Sequence, residues 1–239
     1  MKYIRFKGGS GWRYLQDSRI VLEGGLADAS DALRPYLEVD TDGATRTRGE
    51  PRTMAVLLEE YGPAIVAASM HCHIPTAWIA GMIAIEAERL PGTLSFDPIS
   101  IRDEDFAAGD VGRELERYRE RPHRVSAGLM QTLLATARAM NEEHQWFGDE
   151  GRLGAAYGPA GSLDLADLCV PERSILLGTA YMRHQVGRFD ADPILIVGAY
   201  NAGGVYETSK NPWRIRTYGV DRIPKFAAYH NDWLALEAT

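Results

Sequence analysis

Residues 74–90, Ile-Pro-Thr-Ala-Trp-Ile-Ala-Gly-Met-Ile-Ala-Ile-Glu-Ala-Glu-Arg-Leu, constrain the chain more than any other stretch. Ile79, Met82 and Ile83 recur at the spacing of one helical face, and the next positions on that stripe are Glu86 and Leu90. The pattern predicts a helix that must be buried on this side, with a carboxyl group where a core residue belongs. Burial disfavours the charged form of a carboxylate, so Glu86 is expected to hold its proton near neutrality and to be suited to general acid work. Glu88 falls about 200° away around the helix, on the solvent side. Taken alone, the pattern also describes an inward glutamate paired with an arginine for structural reasons.

The bulk numbers limit what such a helix can belong to. A chain of 239 residues, 45% hydrophobic and 25% charged, is long enough for a substantial core and has the balance of a soluble globular protein. A net charge of -7 and the absence of a basic stripe argue against nucleic acid as a partner. The most basic stretch, Arg117 to Arg124, is interleaved with Glu120 and reads as a solvated helix face. Two cysteines, Cys72 and Cys169, are too few for a disulfide scaffold and read as buried free thiols. The N-terminal residues contain no apolar core of a secretory signal, and no apolar run approaches the roughly 20 residues of a membrane span. The expectation is a chain made in the cytoplasm that something else must deliver to any extracytoplasmic substrate.

Along the chain, residues 1–52 form one region. Tyr3 to Phe6, Trp12 to Tyr14 and Ile20 to Leu22 are short β-like runs broken by glycines, followed by a linker rich in Asp, Gly, Thr and Arg. Residues 53–239 are read as the main domain, where helical periodicity takes over. A helix is expected from Met54 to Ser69, disturbed at Pro63, and Pro75 opens the helix that carries Glu86. His71, Cys72 and His73 lie at a helix junction without a fourth ligand, so no metal site is assigned. Residues 91–125 are polar and acidic, with a short helix expected from Gly112 to Arg121. Ser126 to Gln131 reads as a turn feeding a helix to about Asn141, with Leu133, Leu134, Ala137 and Met140 facing inward. Trp146, Phe147 and Tyr157 stand among glycines, where they could stack on sugars or anchor a loop. Further helices begin at Pro171, at Pro193 (ending at Gly203) and near Pro224.

Three pieces stand in order: Ile85-Glu86; then Gly128-Leu129-Met130-Gln131 with Thr136-Ala137-Arg138; then Ala199-Tyr200-Asn201-Ala202-Gly203. Together, over about residues 55–210, they resemble the lytic transglycosylases of the SLT type, relatives of goose-type lysozyme. The tail, with Asn211-Pro212-Trp213 and Asn231-Asp232-Trp233, looks like that of phage and prophage members. The resemblance implies a mainly α, lysozyme-like fold with a small β-containing N-terminal extension. It implies cleavage of the bond between N-acetylmuramic acid and N-acetylglucosamine in peptidoglycan, with no cofactor and with phage virion or lysis components as partners. In this resemblance Glu86 is the catalytic acid, Met130 and Gln131 line the glycan groove, Tyr200 and Asn201 sit near the carboxyl and the sugar, and Ser126 stands in for the serine that usually precedes the turn. The chain departs from the family in having Glu86-Ala87 instead of Glu-Ser. Its Glu86-to-Gly128 interval is also longer and acidic, so Asp97 or Asp103 could hold a water for hydrolysis by two carboxylates instead. A wall-binding or phage structural component without turnover is the reading from a different class.

Overall fold

The computed structural model describes residues 3–5, 7–103, 125–144, 163–189 and 191–239. Helix predominates among them, as expected. The chain divides into two compact units, the first comprising residues 1–59, 75–85 and 184–239, the second residues 60–74 and 86–183. The expected helix at 112–121, the basic stretch 117–124 and the aromatics Trp146, Phe147 and Tyr157 lie outside the described residues.

In the first unit the short N-terminal runs are strands. β1 (Tyr3–Arg5), β2 (Gly11–Tyr14) and β3 (Ile20–Leu22) form an antiparallel sheet in that order, with Trp12 opposite both Ile4 and Leu22. β4 (Leu37–Val39) pairs with β5 (Thr45–Thr47). Sheets this small cannot bury enough surface to stand alone, and polar side chains on the last helix of the chain hold them. That helix runs from Arg222 to Glu237. The amide of Asn231 accepts from the Ile20 N–H at 2.8 Å and donates to the carbonyls of Ile20 and Thr45 at 2.9 and 2.7 Å. Asp232 accepts from the backbone and hydroxyl of Thr47, and His230 Nε2 lies 3.1 Å from the Ser18 carbonyl oxygen. The tail residues Asn231 and Asp232 therefore complete strand edges that would otherwise bury unpaired backbone groups. Trp213 and Trp233 are fully buried beside this framework.

Two of these groups oppose each other in their pH response. Burial raises the Asp232 carboxyl from 3.8 to about 6 and lowers the His230 imidazole from 6.5 to about 4. The raised carboxyl contributes stability that is full below pH 3.8 and lost as pH rises through 6. The depressed imidazole contributes stability that is full above pH 6.5 and lost as pH falls through 4. Between pH 4 and 6 the two offset. Asp232→Asn leaves the histidine unopposed, so urea unfolding at pH 7 and pH 4 should show the variant losing about 3 kcal/mol more than the wild type over that interval. An equal loss in both proteins would contradict this pairing.

α1 (Arg52–Cys72) runs through Pro63 without ending, and His73, at φ 54°, stops it before Pro75. Cys72 and Cys169 are both free thiols, and burial pushes Cys72 up to about 12. α2 (Thr76–Glu86) buries Ala77, Ile79, Ala80, Met82 and Ile83. It needs glycine at position 81, where a Cβ would come 2.9 Å from the Phe226 ring. The helix stops at Glu86, four residues short of the expected end, and Leu90 is exposed. The backbone after Glu86 folds back on itself instead: Leu90 and Asp97 donate to the carbonyls of Ser95 and Glu88, and Arg89 bridges to Phe96.

The second unit also contains an antiparallel sheet, in the order β6 (Ile101–Asp103), β7 (Val125–Ala127) and β8 (Thr132–Leu133). The polar 91–125 stretch thus contributes β6 and the first residue of β7, and Ser126 stands on a strand, not in the turn expected there. α3 (Leu134–His144) follows with Leu134, Ala137 and Met140 buried, as their spacing predicts, while Leu133 is only half-buried. α4 (Leu165–Leu168) is opened by a capping box between Asp164 and Asp167. α5 (Pro171–Val186) buries Ile175, Thr179 and Met182. In the first unit, α6 (Pro193–Ala202) begins at the cap Asp192 and ends at Gly203, whose φ is 72°. α7 is the final helix, Arg222–Glu237.

Candidate active site

Glu86 is the last residue of α2 and is 6% exposed, whereas the Glu88 side chain is 49% exposed. Glu86 is therefore turned inward as the helical stripe requires, whereas Glu88 is exposed in the segment beyond the end of the helix. A helix end leaves backbone carbonyls without helical partners. Here Arg102, on β6, supplies one: its Nη2 donates to the Glu86 carbonyl oxygen at 2.9 Å while its Nε donates to the Glu88 carboxylate at 2.9 Å.

Arg102 lies opposite Ser126 in the β6–β7 register, and Ser126 leads into the turn Gly128–Gln131. Gly128 has φ 73°, and a Cβ there would fall 1.8 Å from the Leu168 carbonyl oxygen and 2.6 Å from Ser174 Oγ. Only glycine satisfies both the left-handed backbone and the close approach. Gln131 is itself left-handed at φ 44°, a conformation that costs about 1–3 kcal/mol for a residue with a side chain. Its own amide holds it there. Nε2 donates to the carbonyls of Gly128 at 2.8 Å and Ser100 at 3.1 Å, and Oε1 accepts from Ser126 Oγ at 3.0 Å. The Gly128 N–H also donates to Ser100, and the Met130 N–H donates to Ser174 Oγ. Met130 is fully buried against Gly178, where any side chain would come within 2.5 Å of it.

Ser126, Met130 and Gln131, singled out as substrate-binding, are thus brought together, but with their side chains turned into the protein to shape the turn from beneath. Asp97 is half-buried, and its Oδ1 accepts from the Ile99 N–H in a local turn. It faces Tyr61 and Cys169, whose ionisation burial disfavours first and the Asp97 charge disfavours further. Asp103 lies on β6 opposite Val125. Tyr200 and Asn201 belong to the first unit, at the end of α6, where Tyr200 is buried and Asn201 exposed.

The start of α6 is fixed by residues far upstream in sequence. Asp192 caps the helix by accepting from the Ile194 and Leu195 N–H groups and also receives Tyr14 Oη at 2.8 Å and Trp12 Nε1 at 3.2 Å. Burial raises both the Asp192 and Tyr14 ionisations, the Asp192 charge adding to the rise on Tyr14. Sequence reasoning passed over Ser100, Arg102, Ser174 and Asp192. Ser174, next to the inward stripe of α5, carried a detectable signal; Ser100 and Arg102 carried none, because their partners are set by a strand that the polar composition hides. Among the described residues, no group of three or more His, Cys, Asp or Glu side chains is placed to hold a metal ion, and no helix is long and apolar enough to cross a membrane.

Residues 107–214 match the Transglycosylase SLT domain family. The match includes Gly128–Gln131, Tyr200 and Asn201, and begins after Glu86 and Arg102. No curated protein matches the chain. Among solved structures, the chain is similar to an inactive mutant of lytic transglycosylase Slt from Pseudomonas aeruginosa, at 18% identity and a TM-score of 0.41, over 74% of this chain. The chain spans 24% of the length of that protein.

Proposed function

We propose, from the match of residues 107–214 to the Transglycosylase SLT domain family, that the protein is a peptidoglycan lytic transglycosylase in which Glu86 acts first as acid and then as base. The observation that carries this reading is the near-complete burial of the Glu86 residue at the end of an apolar helix. That is a setting from which a single carboxyl group can serve as general acid to a bound glycan. Glu86 protonates the glycosidic oxygen between N-acetylmuramic acid and N-acetylglucosamine. The resulting carboxylate takes the proton from the muramyl 6-hydroxyl as that oxygen closes on C1, leaving a 1,6-anhydro end. One carboxyl group suffices for this route, whereas hydrolysis calls on a second to activate water or to attack the sugar. The engagement of Asp97 in its own turn supports the single-acid route.

In this proposal Ser126 and Gln131 hold the turn that faces the glycan, and Tyr200 and Asn201 contribute contacts to the sugar. Delivery from a phage virion, or action at lysis, is the partner reading that the likeness of the tail supports. The direct test is digestion of purified peptidoglycan. The protein should release soluble glycan fragments and should do so equally with a chelator present. Failure to release fragments at high enzyme concentration, with wall binding retained, would favour the wall-binding reading instead.

A further inference from the structure

We propose that Arg102 is a positioning residue for Glu86. This inference rests on the reading of Glu86 as the acid. Arg102 lies before the residues that match the family, and none of the ordered motifs includes it. Its guanidinium donates from two nitrogens at once, Nη2 to the Glu86 carbonyl oxygen and Nε to the Glu88 carboxylate, both at 2.9 Å. A cation at a helix C-terminus satisfies an orphan carbonyl and complements the negative end of the helix dipole. Here the carbonyl so held is that of the candidate acid itself.

The other side of Arg102 ties this contact to the turn. On β6, Arg102 lies opposite Ser126 and Ile101 opposite Ala127, while the adjacent Ser100 carbonyl receives both the Gly128 N–H and the Gln131 amide. One short strand therefore grips the end of α2 with a side chain and the Gly128–Gln131 turn with its backbone and register. Arg102 sets the distance between the backbone of the acid and the turn. Glu88, which the helical stripe assigns to solvent, acquires a role as the second anchor that fixes the guanidinium plane. Lysine cannot reproduce this arrangement, because its single ammonium lacks the planar fork.

The test measures kcat and KM on soluble glycan strands for the wild type, Arg102→Ala, Arg102→Lys, Glu88→Gln, the Arg102→Ala/Glu88→Gln double variant and Glu86→Gln, with a thermal midpoint for each. A displacement of about 1 Å at a reacting group costs about 100-fold in rate. Arg102→Ala should therefore lower kcat by about 10- to 100-fold, with KM within about threefold. Arg102→Lys should fall between Arg102→Ala and the wild type, and the double variant should be no worse than Arg102→Ala, because Glu88 acts through Arg102. The Arg102 side chain is 37% exposed, so the midpoint should barely move. Wild-type kcat in Arg102→Ala, a loss that tracks the thermal midpoint, or additive losses in the double variant would overturn the proposal while an inert Glu86→Gln leaves the acid assignment standing. Full turnover in Glu86→Gln would remove the acid assignment and this proposal together.

Discussion

Gly128→Ala is expected to lower the thermal midpoint by about 10 °C and to abolish wall digestion at temperatures where the wild type is active. Two penalties add at this position. The backbone at φ 73° is strained for any residue with a Cβ, and the new methyl would sit 1.8 Å from the Leu168 carbonyl oxygen. A carbonyl held in the backbone between a capped helix and its neighbour cannot rotate away, so either the turn or α4 must move. Overpacking of this kind costs about 1–3 kcal/mol, and the left-handed conformation about 1–2 kcal/mol more. Movement of the turn would also separate Gln131 from Ser100 and Ser126, leaving a buried amide with unmade bonds. Calorimetry and a digestion assay together check this. A midpoint within about 2 °C of the wild type would show that the Leu168 carbonyl is not packed against this glycine as described.

Glu86→Gln should reduce the rate of glycan cleavage by at least about 1,000-fold while leaving the fold intact. The amide matches the carboxyl in shape and can donate a hydrogen bond, but it cannot transfer a proton to a leaving oxygen or accept one from the muramyl hydroxyl. The amide keeps the size and shape of the carboxyl group, so the thermal midpoint should stay within about 3 °C of the wild type. Loss of activity with an unchanged midpoint therefore reports on chemistry and not on folding. Equal rates in the two proteins would refute the assignment of Glu86.

Much of this arrangement was readable from residue spacing. The α2 stripe places Glu86 inward because burial follows helical period, and Leu134, Ala137 and Met140 face inward for the same reason, while Glu88 is exposed beyond the end of the helix. Proline and glycine marked the ends of α6, and the glycine-broken runs before residue 25 are strands. What spacing could not show are contacts set by long-range pairing. β6 lies in a polar, acidic stretch whose composition resembles a loop, so Arg102 and Ser100 carried no signal. The helix prediction overran Glu86 because periodicity does not register where a side chain from another strand takes over the last carbonyl. The motif marks Met130 and Gln131 as part of the turn that lines the groove, and a motif does not say which way its side chains turn. Asn231 and Asp232 drew notice as a tail motif, while their hydrogen bonds to Ile20, Thr45 and Thr47, about 200 residues away in sequence, were invisible to local pattern.

The measurement closest to the central claim is mass spectrometry of the glycan ends released from purified peptidoglycan by the wild type and by Glu86→Gln in parallel digests. The single-acid route predicts 1,6-anhydromuramic ends, each lighter by one water than a reducing end, accumulating with the wild type and absent with the variant. Reducing ends in the wild-type digest would contradict it and assign the protein to hydrolysis with a water held by a second carboxylate.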